Sequence, residues 1–109
     1  MYKPLPYYLT IKDFIMYKPL PYYLTIKDSE IHGLGLFAVE DIPADTNLGI
    51  SHYFLVNDEI VRTPLGGFYN HSEKPNCYSK VHIDYAELVT LDKIKAGEEI
   101  TTTYKIQPL

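Results

Sequence analysis

The sequence predicts a mainly β domain of short strands joined by irregular loops. Three observations carry that prediction. Turn-forming residues recur at short intervals, helical periodicity is nearly absent, and residues 77–83 alternate with a period of two. At 109 residues, 46% of them apolar, the chain has room for one soluble domain with a modest core.

The chain opens on a repeat. Met1 to Asp13 reads MYKPLPYYLTIKD, and Met16 to Asp28 reads the same thirteen letters, with Phe14 and Ile15 between them. Two copies are too few for a solenoid, and perfect identity fits a recent or artificial duplication. Only one copy can occupy a given place in a fold, and the second runs straight into the remaining sequence. Residues 1–15 are therefore expected to form an arm, either mobile or paired as a strand with another molecule, and residues 16–109 a single domain.

Within the second copy, Tyr22 to Ile26 is aromatic and β-branched and follows two prolines, which suits a strand. Leu36 to Val39 and Leu48 to Val56 read as strands, separated by a turn around Pro43 to Asn47. Asp58 to Thr63 is the best helical candidate, broken by Gly66 and Gly67. From Cys77, the positions Cys77, Ser79, Val81 and Ile83 alternate with Tyr78, Lys80 and His82, and Asp84 and Tyr85 turn the chain into Glu87 to Leu91, giving a hairpin. Ala96 and Gly97 form a further turn, and Ile100 to Ile106 is a closing β-rich segment.

Charge and cysteine content bound the function. A net charge of −4 leaves no polycationic footprint for nucleic acid, so no direct nucleic-acid binding is expected, whereas a lysine-rich protein tail would be attracted. Cys77 stands alone, which excludes an internal disulfide and a cysteine cluster for zinc. No apolar run is long enough to span a bilayer, and Pro4, Pro6 and the tyrosines stand where a signal peptide needs a greasy helix. The expected protein is soluble and intracellular, cytoplasmic by default, with no membrane association.

Three segments have residue types suited to chemistry. His32-Gly33-Leu34-Gly35-Leu36-Phe37 has two glycines spaced by one residue, which let backbone approach a ligand; the third glycine of a dinucleotide fingerprint is missing. Gly67 to Cys77 packs Asn70, His71, Ser72, Pro75 and Asn76 together, residues that bond local backbone in structured turns. His71 suggests an acid–base or metal role, but His32, His52 and His82 stand at no ligand spacing, so no metal is expected. A nucleophilic pair of Cys77 and His71 is conceivable, though no third orienting group is identifiable. Ala96 to Tyr104 reads as a turn entering a strand that ends on a tyrosine.

In this order the three segments resemble the SET domain of protein-lysine methyltransferases. Ser29 to Pro43 resembles that family's opening, with Gly33 and Gly35 as its Gly-x-Gly. Asn70-His71-Ser72 followed by Pro75-Asn76-Cys77 matches the NHSxxPNC signature, and Gly97 to Thr101 followed by Tyr104 matches the closing motif. The resemblance spans roughly Leu24 to Gln107. It implies a β-clip fold of small curved sheets with little helix, whose closing segment threads a loop as a C-terminal pseudoknot, a rare topology. It further implies S-adenosylmethionine as cofactor, with S-adenosylhomocysteine as product, held by Gly33, Leu34, Gly35, Asn70 and His71. Tyr104 would be the catalytic tyrosine, orienting the lysine of a protein substrate rather than acting as general base.

The chain departs from the family pattern at four points. Glu73 stands where many members carry a zinc-binding cysteine, the interval between the first two motifs is short, and five residues follow Tyr104. Thr102 replaces the usual aromatic two residues before the closing tyrosine. A homodimer whose partner completes the channel, with Tyr7 and Tyr8 as aromatic wall in trans, answers these losses. A non-catalytic SET-like module that binds cofactor or a protein partner is the alternative.

Overall fold

The computed structural model describes residues 20–103; the repeat's first copy and Tyr104 lie outside them. Nine elements follow one another. They are β1 (Leu24–Asp28), β2 (Leu34–Ala38), β3 (Asn47–Phe54), β4 (Ile60–Arg62), α1 (Pro64–Phe68), β5 (Asn70–His71), β6 (Cys77–Val81), β7 (Tyr85–Thr90) and β8 (Thr101–Thr102). The strands form three small sheets: an antiparallel pair β1–β2, a four-stranded sheet ordered β4–β3–β7–β6, and a parallel pair β5–β8. This is the β-rich, helix-poor architecture expected from the sequence.

The period-two segment forms β6 as far as Val81, but Ile83, the last of the alternating set, lies beyond the strand and is 82% exposed. Cys77 is buried and pairs with Thr90, and the ladder continues to Val81 opposite Ala86. His82 then turns the chain, its N–H donating to the Tyr85 carbonyl at 2.8 Å. β1 begins two residues later than expected, because the Leu24 N–H closes a turn on the Pro21 carbonyl at 3.1 Å.

The helix expected over Asp58 to Thr63 is not there. Those residues enter β4, a hairpin partner of β3 with Val61 buried opposite Tyr53. The turn is built by Asn57, whose Oδ1 accepts the Glu59 N–H at 3.3 Å, and by Asp58, which adopts a left-handed φ of 63°. An Asn-Asp pair before β-branched Ile60 and Val61 is a hairpin signal, and it overrides the weak helical reading. The one helix among the described residues lies where glycines were read as breakers. Thr63 caps it, accepting the Gly66 N–H, and Pro64 presets its first turn. Gly66 belongs there because a Cβ would collide with the Ser51 carbonyl on β3.

The β1–β2 pair, the four-stranded sheet and the helix share one core of Leu24, Leu36, Ala38, Ile42, Leu48, Leu65, Cys77, Leu88, Ile94 and Ile100. Leu36, Leu88, Ile94 and Ile100 are fully buried, each contributing about 1.5–3 kcal/mol of apolar burial. Leu36 on β2 and Ile100 within the closing segment fix that segment's course. The Ile100 N–H donates to the Leu36 carbonyl at 2.7 Å, and the Ala38 N–H to the Glu98 carbonyl at 2.9 Å. The same segment pairs with β5 on its other side, Asn70 opposite Thr101 and His71 opposite Thr102. Residues 98–102 therefore run between β2 and β5, which brings the three sequence motifs to one place. Among the described residues no helix is long and apolar enough to cross a membrane.

Candidate functional site

The site is organised around the Asn70 side chain. Its amide nitrogen lies within hydrogen-bond reach of four acceptors: Ser29 Oγ (3.1 Å), the His32 carbonyl (3.2 Å), the Leu34 carbonyl (3.3 Å) and Glu99 Oε2 (2.7 Å). One side chain on β5 thus clasps the loop between β1 and β2 and the closing segment together. Ser29 completes the knot. Its hydroxyl reaches both Glu99 carboxylate oxygens, at 2.8 and 2.9 Å, and its Oγ accepts the Ile31 N–H at 2.9 Å.

The two glycines of the loop have different reasons to be glycine. Gly33 has φ +49° and open space around it, so it serves the left-handed turn that lets its carbonyl accept the Ser29 N–H at 2.8 Å. Gly35 has ordinary φ, but a Cβ there would run into the Glu99 carboxylate and Ser29. It is glycine because the carboxylate lies against its Cα.

Asn76 does for the closing segment what a neighbouring strand would do. Its Nδ2 donates to the Glu99 carbonyl at 2.7 Å, and its Oδ1 accepts the Thr101 N–H at 2.9 Å. The Pro75-Asn76-Cys77 stretch is thereby explained: Asn76 tethers residues 99–101 while Cys77 anchors β6 in the core. Burial pushes the Cys77 thiol up to about 12, so it is a packing residue. His71 by contrast is exposed. A nucleophilic Cys77–His71 pair is therefore excluded: the sulfur is protonated and enclosed.

Beside this knot lies a cavity of about 610 Å³ lined by Lys27, Asp28, Glu30, Ile31, Phe37, Gly97 and Glu99. Lys27, opposite Gly35 in the β1–β2 ladder, places its ammonium 4.6 Å over the centre of the Phe37 ring. Glu99 is the link between cavity and knot.

Of the residues picked out from the sequence, Gly33, Leu34, Gly35 and Asn70 meet at the hydrogen-bonded knot, and none of them lines the cavity. His71 follows Asn70 on β5 and joins through its ladder pairing with Thr102; Tyr104 lies outside the described residues. Thr102, where the family usually has an aromatic, is buried with its Oγ1 lacking a hydrogen-bond partner. Sequence reading missed Ser29 and Glu99. The only signal for them was position, one just before the glycine loop and the other in the closing motif. Among the described residues no three His, Cys, Asp or Glu side chains gather as metal ligands.

Comparison with known proteins follows the same outline. The family model for the SET domain matches residues 51–105. The histone-lysine N-methyltransferase set-2 of Caenorhabditis elegans is 32% identical over 71% of this chain, and the histone-lysine N-methyltransferase trithorax of Drosophila virilis is equally similar over the same share. The chain spans only 7% and 3% of those relatives' lengths. Among solved structures, a Plasmodium falciparum protein described as a histone methyltransferase superposes with a TM-score of 0.66 at 23% identity, covering 76% of this chain and 93% of that one. An autoinhibited Polycomb Repressive Complex 2 bound to S-adenosylmethionine gives 0.61 at 19% identity, over 74% of this chain and 15% of that one. At such identities the structural likeness speaks for the fold.

Proposed function

The chain belongs to the SET-domain family, and from that premise we propose that it binds S-adenosylmethionine beside the Gly33–Gly35 loop and methylates a lysine side chain of a protein. The observation that carries this reading is the Asn70 clasp, which joins the loop, β5 and the closing segment into one cradle with a cavity at its side.

The residues present fit the cofactor. A cavity of about 610 Å³ lies within the roughly 300–1,000 Å³ usual for small-molecule sites. Its lining offers the Phe37 ring and Ile31 to an adenine, and carboxylates to ribose hydroxyls and to positive charge. Gly33, with nothing near a would-be Cβ, leaves the loop backbone open to approach. The cofactor supplies a methyl group on a sulfonium sulfur, which leaves as a neutral thioether.

The protein's part is to present a lysine nitrogen with its lone pair free and in line. The lysine pKa in water is near 10.4, so the site must favour loss of the proton. Tyr104 is assigned to orienting that amine through its hydroxyl. The course of residues 98–102 between β2 and β5 also supports a threaded closing segment, which would deliver Tyr104 beside the methyl. We further propose a homodimer in which a partner chain completes the substrate channel.

Isothermal titration with S-adenosylmethionine and S-adenosylhomocysteine, on the whole chain and on one starting at Met16, tests the reading. Binding of both ligands to the whole chain is expected, with methyl transfer to a lysine-rich protein that is lost in Tyr104→Phe. Absence of binding in the whole chain would remove the proposal. Light scattering that finds a monomer with full turnover would remove the dimer.

A further inference from the structure

We infer that Glu99 reads the positive charge of the methyl donor, setting the cofactor specificity of the site. This rests on the proposed S-adenosylmethionine site and deepens it by naming the group that distinguishes a charged ligand from a neutral one.

The first support is that the carboxylate is fixed before any ligand arrives. Ser29 Oγ reaches both its oxygens, Asn70 Nδ2 donates to Oε2 at 2.7 Å, and its backbone carbonyl is held by Asn76. Gly35 presses against it from the β1–β2 side, where any larger residue would displace it. Two stretches far apart in sequence, residues 29–35 and 70–76, therefore hold one carboxylate at the cavity wall. Preorganised charge of this kind recognises a ligand without further ordering.

The second support is that its partners are neutral. The hydroxyl of Ser29 and the amide of Asn70 orient the carboxylate and leave its charge uncompensated. Among the described residues the ion pairs are His82–Glu87 and Lys93–Asp41, neither of which involves Glu99. Lys27, the one cationic side chain lining the cavity, lies over the Phe37 ring instead. Glu99 is half-buried, so a cation reaching it from the cavity meets a charge only partly screened by water. Asp28 and Glu30 line the same cavity but are exposed, and exposed charges of that sort contribute little.

S-adenosylmethionine has two cationic groups, its sulfonium and its ammonium. S-adenosylhomocysteine retains only the ammonium, and methylthioadenosine has neither while keeping the nucleoside. Glu99→Gln preserves size and an oxygen that can accept from Ser29 and Asn70 but removes the charge. Titration of these three ligands into the whole chain and into Glu99→Gln is the test. The expected result is a roughly tenfold loss of S-adenosylmethionine affinity with methylthioadenosine unchanged. S-adenosylhomocysteine will follow the first if the ammonium is the group read, and the second if it is the sulfonium. Equal losses for all three ligands would show that Glu99 only shapes the loop, and an unchanged S-adenosylmethionine affinity would also overturn the inference. Should Glu99→Gln unfold, the unmodified chain still decides. Rising salt must then weaken S-adenosylmethionine more than methylthioadenosine, and parallel behaviour overturns the assignment. If no ligand binds the unmodified chain, the proposed function fails and not merely the role of Glu99.

Discussion

His52 makes the stability of this domain depend on pH, and the size of the effect can be worked from its surroundings. The ring is 3% exposed on β3. Its Nδ1 lies 2.8 Å from Ser51 Oγ, and that hydroxyl donates onward to the Ala86 carbonyl at 3.3 Å. A hydroxyl that has given away its proton must accept, which assigns the proton of the neutral ring to Nδ1. Tyr69 covers the ring edge-on at 6.2 Å between centroids. Burial, and then the Arg62 guanidinium on the paired strand, push the His52 pKa down from 6.5 to about 4. A depressed pKa means that the unfolded chain takes up the proton first. The stabilisation is therefore whole above pH 6.5 and drains away as pH falls toward 4. The full gap is worth about 3 kcal/mol, and linkage places about 2 kcal/mol of loss between pH 7 and pH 5. The Asp41 and Glu87 carboxyls also sit below their usual range, Asp41 chiefly through the Ala96 N–H and Glu87 through the Asn47 amide and then His82. Their stabilisation is lost at lower pH, near and below 4, so His52 should dominate the upper window. Urea unfolding at pH 7 and pH 5 measures it directly, and the midpoint should fall by about 1 M given typical slopes. His52→Asn should lower stability at pH 7 and flatten the dependence. A wild-type midpoint that stays level, or an equally steep His52→Asn, would refute the reasoning.

Two further outcomes follow from the site. Asn76→Ala strands the Glu99 carbonyl and the Thr101 N–H, which should cost about 2–4 kcal/mol in urea unfolding; Asn76→Asp keeps the acceptor for Thr101 and should fall between. Wild-type stability in both variants would mean that the closing segment is held without Asn76. Cys77, with a thiol pushed up to about 12, has a thiolate fraction of about 10⁻⁴ at pH 8. Iodoacetamide should leave it untouched in the native protein and alkylate it in urea, and native labelling at the rate of a free thiol would contradict its burial.

Local chemistry was legible where it acted over short range. The alternation from Cys77 announced β6, and the turn residues after it announced β7, because a strand with one buried face must repeat every second residue. The helix was misplaced for a related reason. Asp58 to Thr63 has no local property that forbids helix, and only the Asn57–Asp58 turn and the burial of Val61 against β3 decide for strand. Pro64 to Phe68, with two glycines, is a poor helix by propensity. It persists because Thr63 caps it, also donates to the Ile50 carbonyl at 2.8 Å, and only a glycine at 66 lets the turn lie against β3. Tertiary contact overrides propensity there, and no local window contains it.

The site divides the same way. Gly33, Gly35 and Asn70 could be singled out because unusual residue types in a short span suggest special backbone and local hydrogen bonding. Glu99 could not, since it stands next to Glu98 and the two are identical in composition. The fold separates them by the pleat. Glu98 turns outward and its carboxylate closes a local turn on the Lys95 N–H at 2.9 Å, while Glu99 turns toward Ser29, seventy positions away. Which of two adjacent glutamates becomes the cavity's carboxylate is decided by the register of residues 98–100 against β2. Leu36 and Ile100, fully buried and joined by a 2.7 Å hydrogen bond, fix that register. The charge at the site is thus set by a packing choice in the core. A one-residue slip there would exchange Glu99 for Glu98 without altering a letter of the motif.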